Sequence, residues 1–320
     1  MNRRNWIAPL VALCGALAQP AVAQNVKVTP LGGIDGEFCA QDRALVFEDP
    51  NGTRVLYDPG HTVAGGADAR LGRIDVILVS HMHADHIGEA HVKAANAGTC
   101  AKPDLSVPTP QTNVIDIALA KKSKIVTGSE MPPFFAARLK AGGGDPANSV
   151  LARFGGSVTV GGVKIATVAA LHSNGVDPDF IGGDLGKAMK AAGIAGDVGA
   201  ATGYVLRFSN GLVAWLSGDT GILADQQLVI RDYYHASLVV MNMGDGFTTG
   251  PAEAAYVVNE LVKPASVIPS HANEVGTVDG KVRPGSKTEA FVKASNVAVH
   301  VPLSGHTMEY DGAGKCVAGC

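Results

Sequence analysis

Residues 81–86 read HMHADH, and they place three histidines and an aspartate directly after the apolar run IDVILVS. A lone histidine after a strand is usually structural. Crowding this many imidazoles together without a metal, however, gains nothing and creates repulsion when they are protonated. Neutral imidazole and carboxylate groups suit zinc, manganese or iron. We therefore predict that His81, His83, Asp85 and His86 bind metal at the end of a strand.

Three further polar residues follow apolar runs in the same way. His172 follows TVAAL, Asp219 follows LVAWLSG, and His271 follows SVIPS. In mixed α/β sheets, sites are built at the strand ends, because loops converge there while the sheet holds them rigid. Two metals also need more ligands than one loop provides. We predict that these three side chains join the first four.

Short segments typical of β-strands alternate with helical ones along the chain. The strand segments include NVKVTPL at 25–31, TRVLYDP at 53–59 and RIDVILVS at 73–80. We predict helices over 87–98, 131–144 and 250–264, the last with Pro251 in its first turn and Thr249 or Gly250 as its cap. This alternation favours two mixed sheets with helices outside.

The Gly- and Ala-rich residues 173–202 are too long for a plain connection between strands. Two interpretations stay open for this segment. It is either a solvent loop with a small helix or a lid over the site that begins at His172.

The first 23 residues contain two arginines, a short apolar run from Trp6 to Leu17 and a small-residue motif that ends at Ala23. We predict that residues 1–23 are a secretory signal peptide and that residues 24–320 form one mature domain, periplasmic or secreted. Lipidation at Cys14 and export by the twin-arginine route are the weaker alternatives. No later segment is long and uncharged enough to be expected to span a membrane.

The composition is that of an ordinary globular protein, with 46% hydrophobic residues, 17% charged residues and a formal net charge of −3. No basic run suggests a nucleic-acid partner. We therefore expect a small-molecule substrate as the partner. The oligomeric state is not predicted.

Four cysteines follow the predicted signal peptide, and an even number in an exported chain favours disulfides. Spacing alone does not choose among the three possible pairings. We favour Cys39 with Cys100 and Cys316 with Cys320, because the C-terminal CVAGC can close locally. A zinc knuckle is the alternative, although the C-x2-C spacing is absent.

Several motifs together resemble the metallo-β-lactamase superfamily: H-x-H-x-D-H at 81–86, SGDTG at 217–221 and IPSH at 268–271. Within it, LHS at 171–173 and GDGFTTGP at 244–251 resemble the metal-dependent hydrolases related to ascorbate-6-phosphate lactonase. The likeness runs from about Val26 to His271. It implies an α/β fold, an αββα sandwich of two mixed β-sheets with helices on the outer faces. The implied ligand sets are His81, His83 and His172 for one metal, Asp85, His86 and His271 for the other, and Asp219 as the bridge.

The resemblance also implies a reaction. Two divalent ions, zinc or else manganese, would form hydroxide from a bound water and hydrolyse a lactone, ester, amide or phosphate ester. Asp85 would orient this water, and Asp219 would act through both ions. The candidate proton donors for the leaving group are Asp245 and His306, against a turn role for Asp245 and a structural role for His306. Phe180 and Phe247 are expected either to shape the pocket or to belong to the core.

Two features depart from the subgroup's pattern. Segment 173–202 is longer than the subgroup usually carries, and IPSHANE at 268–274 replaces the more usual Pro-x-His-Tyr-Gly. Both changes fall beside the predicted site. The substrate, including a β-lactam, is therefore not predicted from the resemblance.

Two other functions stay open from the sequence. One is a single-iron redox enzyme similar to persulfide dioxygenases, which keep the histidine run; di-iron oxygen reductases usually carry glutamate where His83 stands. The other is a non-catalytic metal-binding protein, which the complete set of seven ligands disfavours. The histidines without ligand-like neighbours are expected to be structural, namely His61, His91, His235 and His300.

Overall fold

The computed structural model describes residues 25–320, so the predicted signal peptide lies outside the described residues. In chain order the strands are β1 Val26–Pro30, β2 Leu45–Glu48, β3 Arg54–Tyr57, β4 Val76–Leu78, β5 Ala90–His91, β6 Val107–Pro108, β7 Lys124–Thr127, β8 Ser149–Leu151, β9 Ser157–Val160, β10 Val163–Ala169, β11 Gly175–Val176, β12 Gly196–Asp197, β13 Thr202–Arg207, β14 Val213–Leu216, β15 Leu238–Asn242, β16 Ser266–Ser270, β17 Thr277–Val278, β18 Lys281–Val282, β19 Ala298–Val299, β20 Met308–Tyr310 and β21 Cys316–Ala318.

The α-helices are α1 Ala84–Ile87, α2 Asn113–Lys121, α3 Pro132–Ala141, α4 Pro178–Ile181, α5 Gly183–Ala192, α6 Pro251–Tyr256 and α7 Lys287–Ala294. Two π-helical stretches lie at Gln226–Arg231 and Val257–Val262, and two 3-10 turns at Ala69–Leu71 and Pro146–Asn148. Within residues 25–320, no helix has the length and apolar character needed to cross a membrane.

Two mixed sheets hold most of the strands. The first has the order β21-β20-β1-β2-β3-β4-β7-β8, and the second has the order β19-β16-β15-β14-β13-β10-β9. Strands β3, β4, β7 and β8 are parallel neighbours in the first sheet, as are β14, β15, β16 and β19 in the second. Parallel strands are usually covered on both faces, and the completely buried β4 and β15 follow that rule.

The apolar residues form three layers of core. One cluster lies between the sheets and includes Phe47, Leu78, Tyr204 and Leu216. A second packs the first sheet against α2 and α3, and a third packs the second sheet against the helical segments 226–231, 251–262 and 287–294. The predicted αββα sandwich is therefore confirmed.

The helix predicted over residues 87–98 is wrong. Helix α1 ends at Ile87, where Gly88 takes a φ of 71°, and the chain then pairs β5 with β6. A Cβ atom at position 88 would lie 2.5 Å from the carbonyl oxygen of Gly60, so this close approach requires glycine. The helices α3 and α6 were predicted, with Gly250 as the N-cap of α6, whereas α2 and α7 were not.

Segment 173–202 contains the short helices α4 and α5 and the β11-β12 ribbon. Phe180 is buried against the helix layer of the first sheet, and its carbonyl accepts a hydrogen bond from Arg138. Asn174 accepts a hydrogen bond from the backbone N–H of Met82 inside the histidine loop. The segment therefore packs on the outer layer and braces the histidine loop from its first residues, and Phe180 belongs to the core.

Both favoured cysteine pairings are present. Cys39 pairs with Cys100, with 4.7 Å between their Cα atoms, and Cys316 pairs with Cys320, with 6.4 Å. The first disulfide ties the segment before β2 to the loop after β5. All four cysteines are paired in disulfides and are not free to bind zinc, so the predicted alternative of a zinc knuckle is wrong.

Tyr204 connects the two sheets through a polar contact in the core. Its ring is completely buried in β13 of the second sheet. Its hydroxyl lies 2.6 Å from the carbonyl oxygen of Val79 and 3.1 Å from that of Val126, both in the first sheet. Val79 is two residues before His81, so this contact also positions the histidine loop.

We predict that Tyr204→Phe lowers the free energy of unfolding by about 1–3 kcal/mol, because buried carbonyls lose their donor. Tyr310→Phe is the matched control: Tyr310 is also fully buried, but its hydroxyl reaches only the weak sulfur acceptor of Met308 at 3.4 Å. Denaturant unfolding of both variants is the measurement. Equal losses of stability in the two variants would contradict the role of Tyr204.

Candidate metal centre

Four polar side chains converge at one edge of the sandwich. His81 lies three residues beyond β4 of the first sheet, and Asp219 lies three residues beyond β14 of the second. His172 lies three residues beyond β10, and His271 directly follows β16. The sheets therefore bring together residues that are up to 190 positions apart in the sequence.

The short helix α1 supplies the other members of the predicted set. His83 occupies its N-cap position, and Asp85 and His86 lie within its single turn. Asp85 and His86 consequently project from a different part of the loop than His81 and His83. All seven predicted metal ligands lie in one cluster.

The centre of the cluster is a single oxygen atom, Oδ2 of Asp219. It lies 3.0 Å from Nε2 of His271 and 3.4 Å from Nε2 of His86. It also lies 3.8 Å from Nε2 of His172 and 3.9 Å from Nε2 of His81. This carboxylate stands between the two halves of the cluster, as a bridging ligand would.

The donor atoms fall into overlapping groups, with all the atoms in each group within 4.8 Å of one another. The groups are His81, His83 and His172; His81, His86 and Asp219; and Asp85, His86 and His271. His83 Nδ1 lies 3.0 Å from His81 Nε2 and 3.3 Å from His172 Nε2. His271 Nε2 lies 3.2 Å from Asp85 Oδ2. The first and third groups are the two ligand sets that the resemblance implied.

Burial and charge act together on these groups. Burial lowers the pKa of His81 well below its usual value, so its imidazole is neutral and available as a ligand at neutral pH. Burial would likewise lower the pKa of His86, but the carboxylates of Asp219, Asp85 and Asp58 outweigh it and raise this pKa well above its usual value. Burial would raise the pKa of Asp219, and the imidazoles of His86 and His271 instead hold it well below its usual value. The buried carboxylates thus require positive charge beside them.

Unpaired nitrogen atoms test whether the residues fit metal ions. Nε2 of His86 and both ring nitrogens of His271 are buried and have no hydrogen-bond partner among residues 25–320. Buried polar atoms are normally paired, because leaving one unpaired costs about 1–3 kcal/mol. Nε2 of each histidine lies within 3.4 Å of Oδ2 of Asp219 without a hydrogen bond to it, so a cation between them could pair with both. The donor set of imidazole and carboxylate therefore fits divalent metal ions.

Asp58 braces the cluster from behind. Its Oδ2 lies 2.8 Å from Nδ1 of His86, and it accepts hydrogen bonds from the backbone and hydroxyl of Ser80. The Ser80 hydroxyl also lies 2.9 Å from Nδ1 of His81. Because these contacts engage Nδ1 of each ring, they direct Nε2 into the cluster.

A cavity of about 510 Å³ opens beside the cluster. Besides predicted ligands, its wall contains five polar residues that the sequence analysis did not assign to the site: Gln41, Arg43, His61, Ser173 and Asn273. The almost fully buried Arg43 donates hydrogen bonds to Asp85 at 3.2 Å and to Asn273 at 2.7 Å. Asn273 belongs to the IPSHANE departure, so this change builds part of the wall. His61 follows β3 as His81 follows β4, and that placement was the available signal for it.

The two candidate proton donors lie elsewhere. Asp245 is exposed at a loop tip, with a φ of 59°, and its carboxylate accepts the N–H of Gly246. His306 lies on an exposed turn before β20. Neither lines the cavity, so the structure supports the turn and surface interpretations of these residues. Phe247, by contrast, lines the cavity with 78% of its surface exposed.

The sequence model of the "Beta-lactamase superfamily domain" matches residues 41–271, which include all seven predicted ligands. The chain belongs to this superfamily. The superfamily resemblance drawn from the histidine motif is thereby confirmed.

Comparison with relatives assigns the chain to a narrower family within this superfamily. A "UPF0173 metal-dependent hydrolase" of Polaromonas sp. is 31% identical over 272 residues, 82% of each chain. A protein with the same name from Polynucleobacter asymbioticus is 27% identical over 275 residues, again 82% of each chain. Among solved structures, Igni18, a metallo hydrolase of Ignicoccus hospitalis, is 20% identical with a TM-score of 0.57, covering 90% of this chain and 99% of its own. This superfamily member thus belongs to the UPF0173 metal-dependent hydrolases and shares the fold of Igni18.

We predict that Asp58→Asn lowers metal affinity by about 10–100-fold, because His86 loses the carboxylate that orients its ring. Asp49→Asn is the matched control, since Asp49 is an equally buried carboxylate that accepts hydrogen bonds from Ser209 outside the cluster. The measurement is Zn²⁺ retained per chain after dialysis against a competing chelator. Equal retention in the two variants would show that Asp58 has no orienting role.

Proposed function

We propose that this protein is an exported hydrolase with two divalent metal ions, zinc or else manganese, that cleaves a lactone, ester, amide or phosphate ester. The observation that carries the proposal is the position of the Asp219 carboxylate between two three-residue donor groups, beside an open cavity. Membership among the metal-dependent hydrolases supports the reaction class.

The proposed ligands are His81, His83 and His172 for one ion, Asp85, His86 and His271 for the other, and Asp219 for both. Divalent ions bound there would supply Lewis acidity and lower the pKa of a coordinated water. Burial of the ligands excludes bulk water and strengthens every charge interaction in the site.

The chain's own residues then hold and orient the reactants. Asp85 is partly exposed in the cavity wall, where its carboxylate can accept a hydrogen bond from the attacking water. Burial would raise the pKa of Asp85, but His86, His271 and Arg43 outweigh it and hold this pKa well below its usual value. Asp85 is therefore ionised at neutral pH. Arg43 keeps it in place through the 3.2 Å contact.

We predict that Asp219→Ala abolishes hydrolysis and reduces the metal content from two ions per chain to one or none, since both donor groups lose their shared ligand. Asp225→Ala, at an exposed position six residues later, is the control and keeps both properties. Elemental analysis of the purified mature protein gives the metal content, and a lactone, a phosphodiester and a β-lactam serve as substrates.

The same measurements separate the rival functions. Two zinc or manganese ions with hydrolysis support the proposal. One iron ion with oxygen uptake would favour the single-iron redox enzyme. Full metal loading with no hydrolysis of any panel member would favour a non-catalytic metal-binding protein. Full activity of Asp219→Ala would refute the bridging role.

Export rests on the first 23 residues and agrees with the Cys39–Cys100 disulfide, because oxidising compartments preserve disulfides. We predict that the protein purified from the periplasm or medium of a bacterial host begins at Gln24 and contains no free thiol. Intact-mass spectrometry with and without a thiol-alkylating reagent is the measurement. A cytoplasmic protein that retains Met1 and four reactive thiols beyond residue 23 would contradict export.

A further inference from the structure

His61 is held rigidly in the wall of the cavity. It follows β3 and Gly60, whose N–H donates to the carbonyl oxygen of His86 at 3.0 Å. Gly60 has a φ of 48°, and a Cβ atom there would lie 2.4 Å from the carbonyl oxygen of Asp85, so this approach requires glycine. The backbone of His61 is therefore packed against α1, which carries two of the proposed ligands.

The two ring nitrogens of His61 have different surroundings. Nε2 lies 2.6 Å from the carboxylate of Glu89, which does not line the cavity. Nδ1 lies 3.2 Å from the amide oxygen of Gln41, which does line it. The Glu89 contact thus lies behind the ring, and Nδ1 is on the cavity side. Both partners are oxygen acceptors, so a proton on either ring nitrogen has a hydrogen-bond partner.

The carboxylate of Glu89 is the charged group next to His61. Burial would raise the pKa of Glu89, but the hydrogen bond and charge of His61 outweigh it and hold this pKa below its usual value. Glu89 is therefore ionised at neutral pH, and its carboxylate accepts a hydrogen bond from Nε2–H of His61. The other charged groups of the same cavity wall include Arg43 and Asp85, which pair with each other, and the carboxylate of Asp219.

The cavity wall also limits the charge of a substrate. Among its described residues the only arginine or lysine is Arg43, whose guanidinium is already engaged by Asp85 and Asn273. Besides metal ions such as those proposed here, phosphate groups are normally held by free basic side chains or backbone N–H clusters, and the described part of this wall adds no free basic side chain. The exposed ring of Phe247 adds an apolar surface to this wall. This wall favours an uncharged acyl compound with an apolar part over a phosphate ester.

On the basis of the proposed hydrolysis, we propose that His61 is the proton donor to the leaving group, and that the substrates are uncharged carboxylic esters with a basic alkoxide leaving group. Water gives up one proton to solvent and adds its oxygen to the acyl carbon, and the bond from that carbon to the alkoxide oxygen breaks. The electron pair of the broken bond takes the proton from Nδ1 of His61. The products are an alcohol and a carboxylic acid, whose proton returns to His61 or to solvent.

The test compares two leaving groups on one acyl group: ethyl butyrate and 4-nitrophenyl butyrate. Proton donation matters for the basic ethoxide and little for the stable nitrophenolate. For His61→Gln we expect kcat/KM to fall about 100-fold or more with the ethyl ester. With the nitrophenyl ester we expect a change of less than about threefold, because that leaving group needs no acid. Glu89→Gln keeps a hydrogen-bond partner but removes the charge. We expect it to lower kcat/KM with the ethyl ester by a smaller factor, again with little change for the nitrophenyl ester.

His91→Gln is the control, since His91 is similarly buried, donates a hydrogen bond from Nδ1 to the carbonyl oxygen of Val92, and lies outside the cavity wall. It is expected to leave both rates unchanged, and all variants are expected to keep the wild-type metal content and thermal unfolding midpoint. Equal losses with both esters in His61→Gln, or no loss with either, would overturn the proton-donor role. Wild-type hydrolysis of a phosphodiester but of neither ester would overturn the substrate class while leaving the proposed hydrolase function standing. Hydrolysis of none of these compounds would overturn the substrate class and the proton-donor role, and it would overturn the hydrolase function as well if the lactone and the β-lactam are also left intact.

Discussion

The Oδ2 atom of Asp219 lies between 3.0 and 3.9 Å from ring nitrogens of four histidines. Holding a carboxylate with only 3% of its surface exposed costs several kcal/mol unless positive charge and hydrogen bonds surround it. The surrounding histidines come from three separate strand ends and one short helix. The rest of the fold must therefore keep these ends in register, or the charge at the centre loses its partners.

Polar contacts between the sheets maintain that register. The hydroxyl of Tyr57, at the end of β3, accepts the N–H of Gly218, the residue before Asp219. Asn242, at the end of β15, donates to the carbonyl oxygen of Thr220, the residue after Asp219. Tyr57 and Tyr204 thus tie the Asp219 loop and the histidine loop each to the opposite sheet, while Asn242 holds the Asp219 loop to its own sheet. These contacts fix the register of the loops, because each buried polar group has few alternative partners.

The architecture also explains why the cavity wall contains further residues that can take part in the reaction. The loops after β3 and β4 leave the sheet at the same edge. Strand β3 therefore places His61 near the cavity just as β4 places His81 near it. The Cys39–Cys100 disulfide and the Arg43 contacts hold the segment before β2 against the same edge. A rigid edge with adaptable loops lets substrate preference change without disturbing the metal ligands. Asn273, in the part of the chain that departs from the family pattern, is an example of such a change.

Local sequence patterns were sufficient to predict the elements whose burial and chemistry follow from their own residues. The apolar runs before His81, Asp219 and His271 predicted buried strands, and the dense HMHADH motif predicted a cluster of metal ligands, because neither signal depends on distant residues. The helix over 87–98 was wrong because its alanines and valine favour a helix locally, while Gly88 must pass close to Gly60, a contact that the local sequence does not reveal. Helices α2 and α7 were not predicted, although Thr112 and Ser286 cap them.

By itself, the sequence determined the residue types of the site, their order along the chain and the strand ends that carry them, since ligand chemistry and strand burial are local properties. Only the tertiary structure decided which strand ends meet. It placed Asp219 between two donor groups and Asp58 behind His86. It also turned His61 towards the cavity and left Asp245 and His306 outside. These outcomes depend on distances between residues far apart in the chain, which sheet pairing and core packing set and which no local pattern encodes.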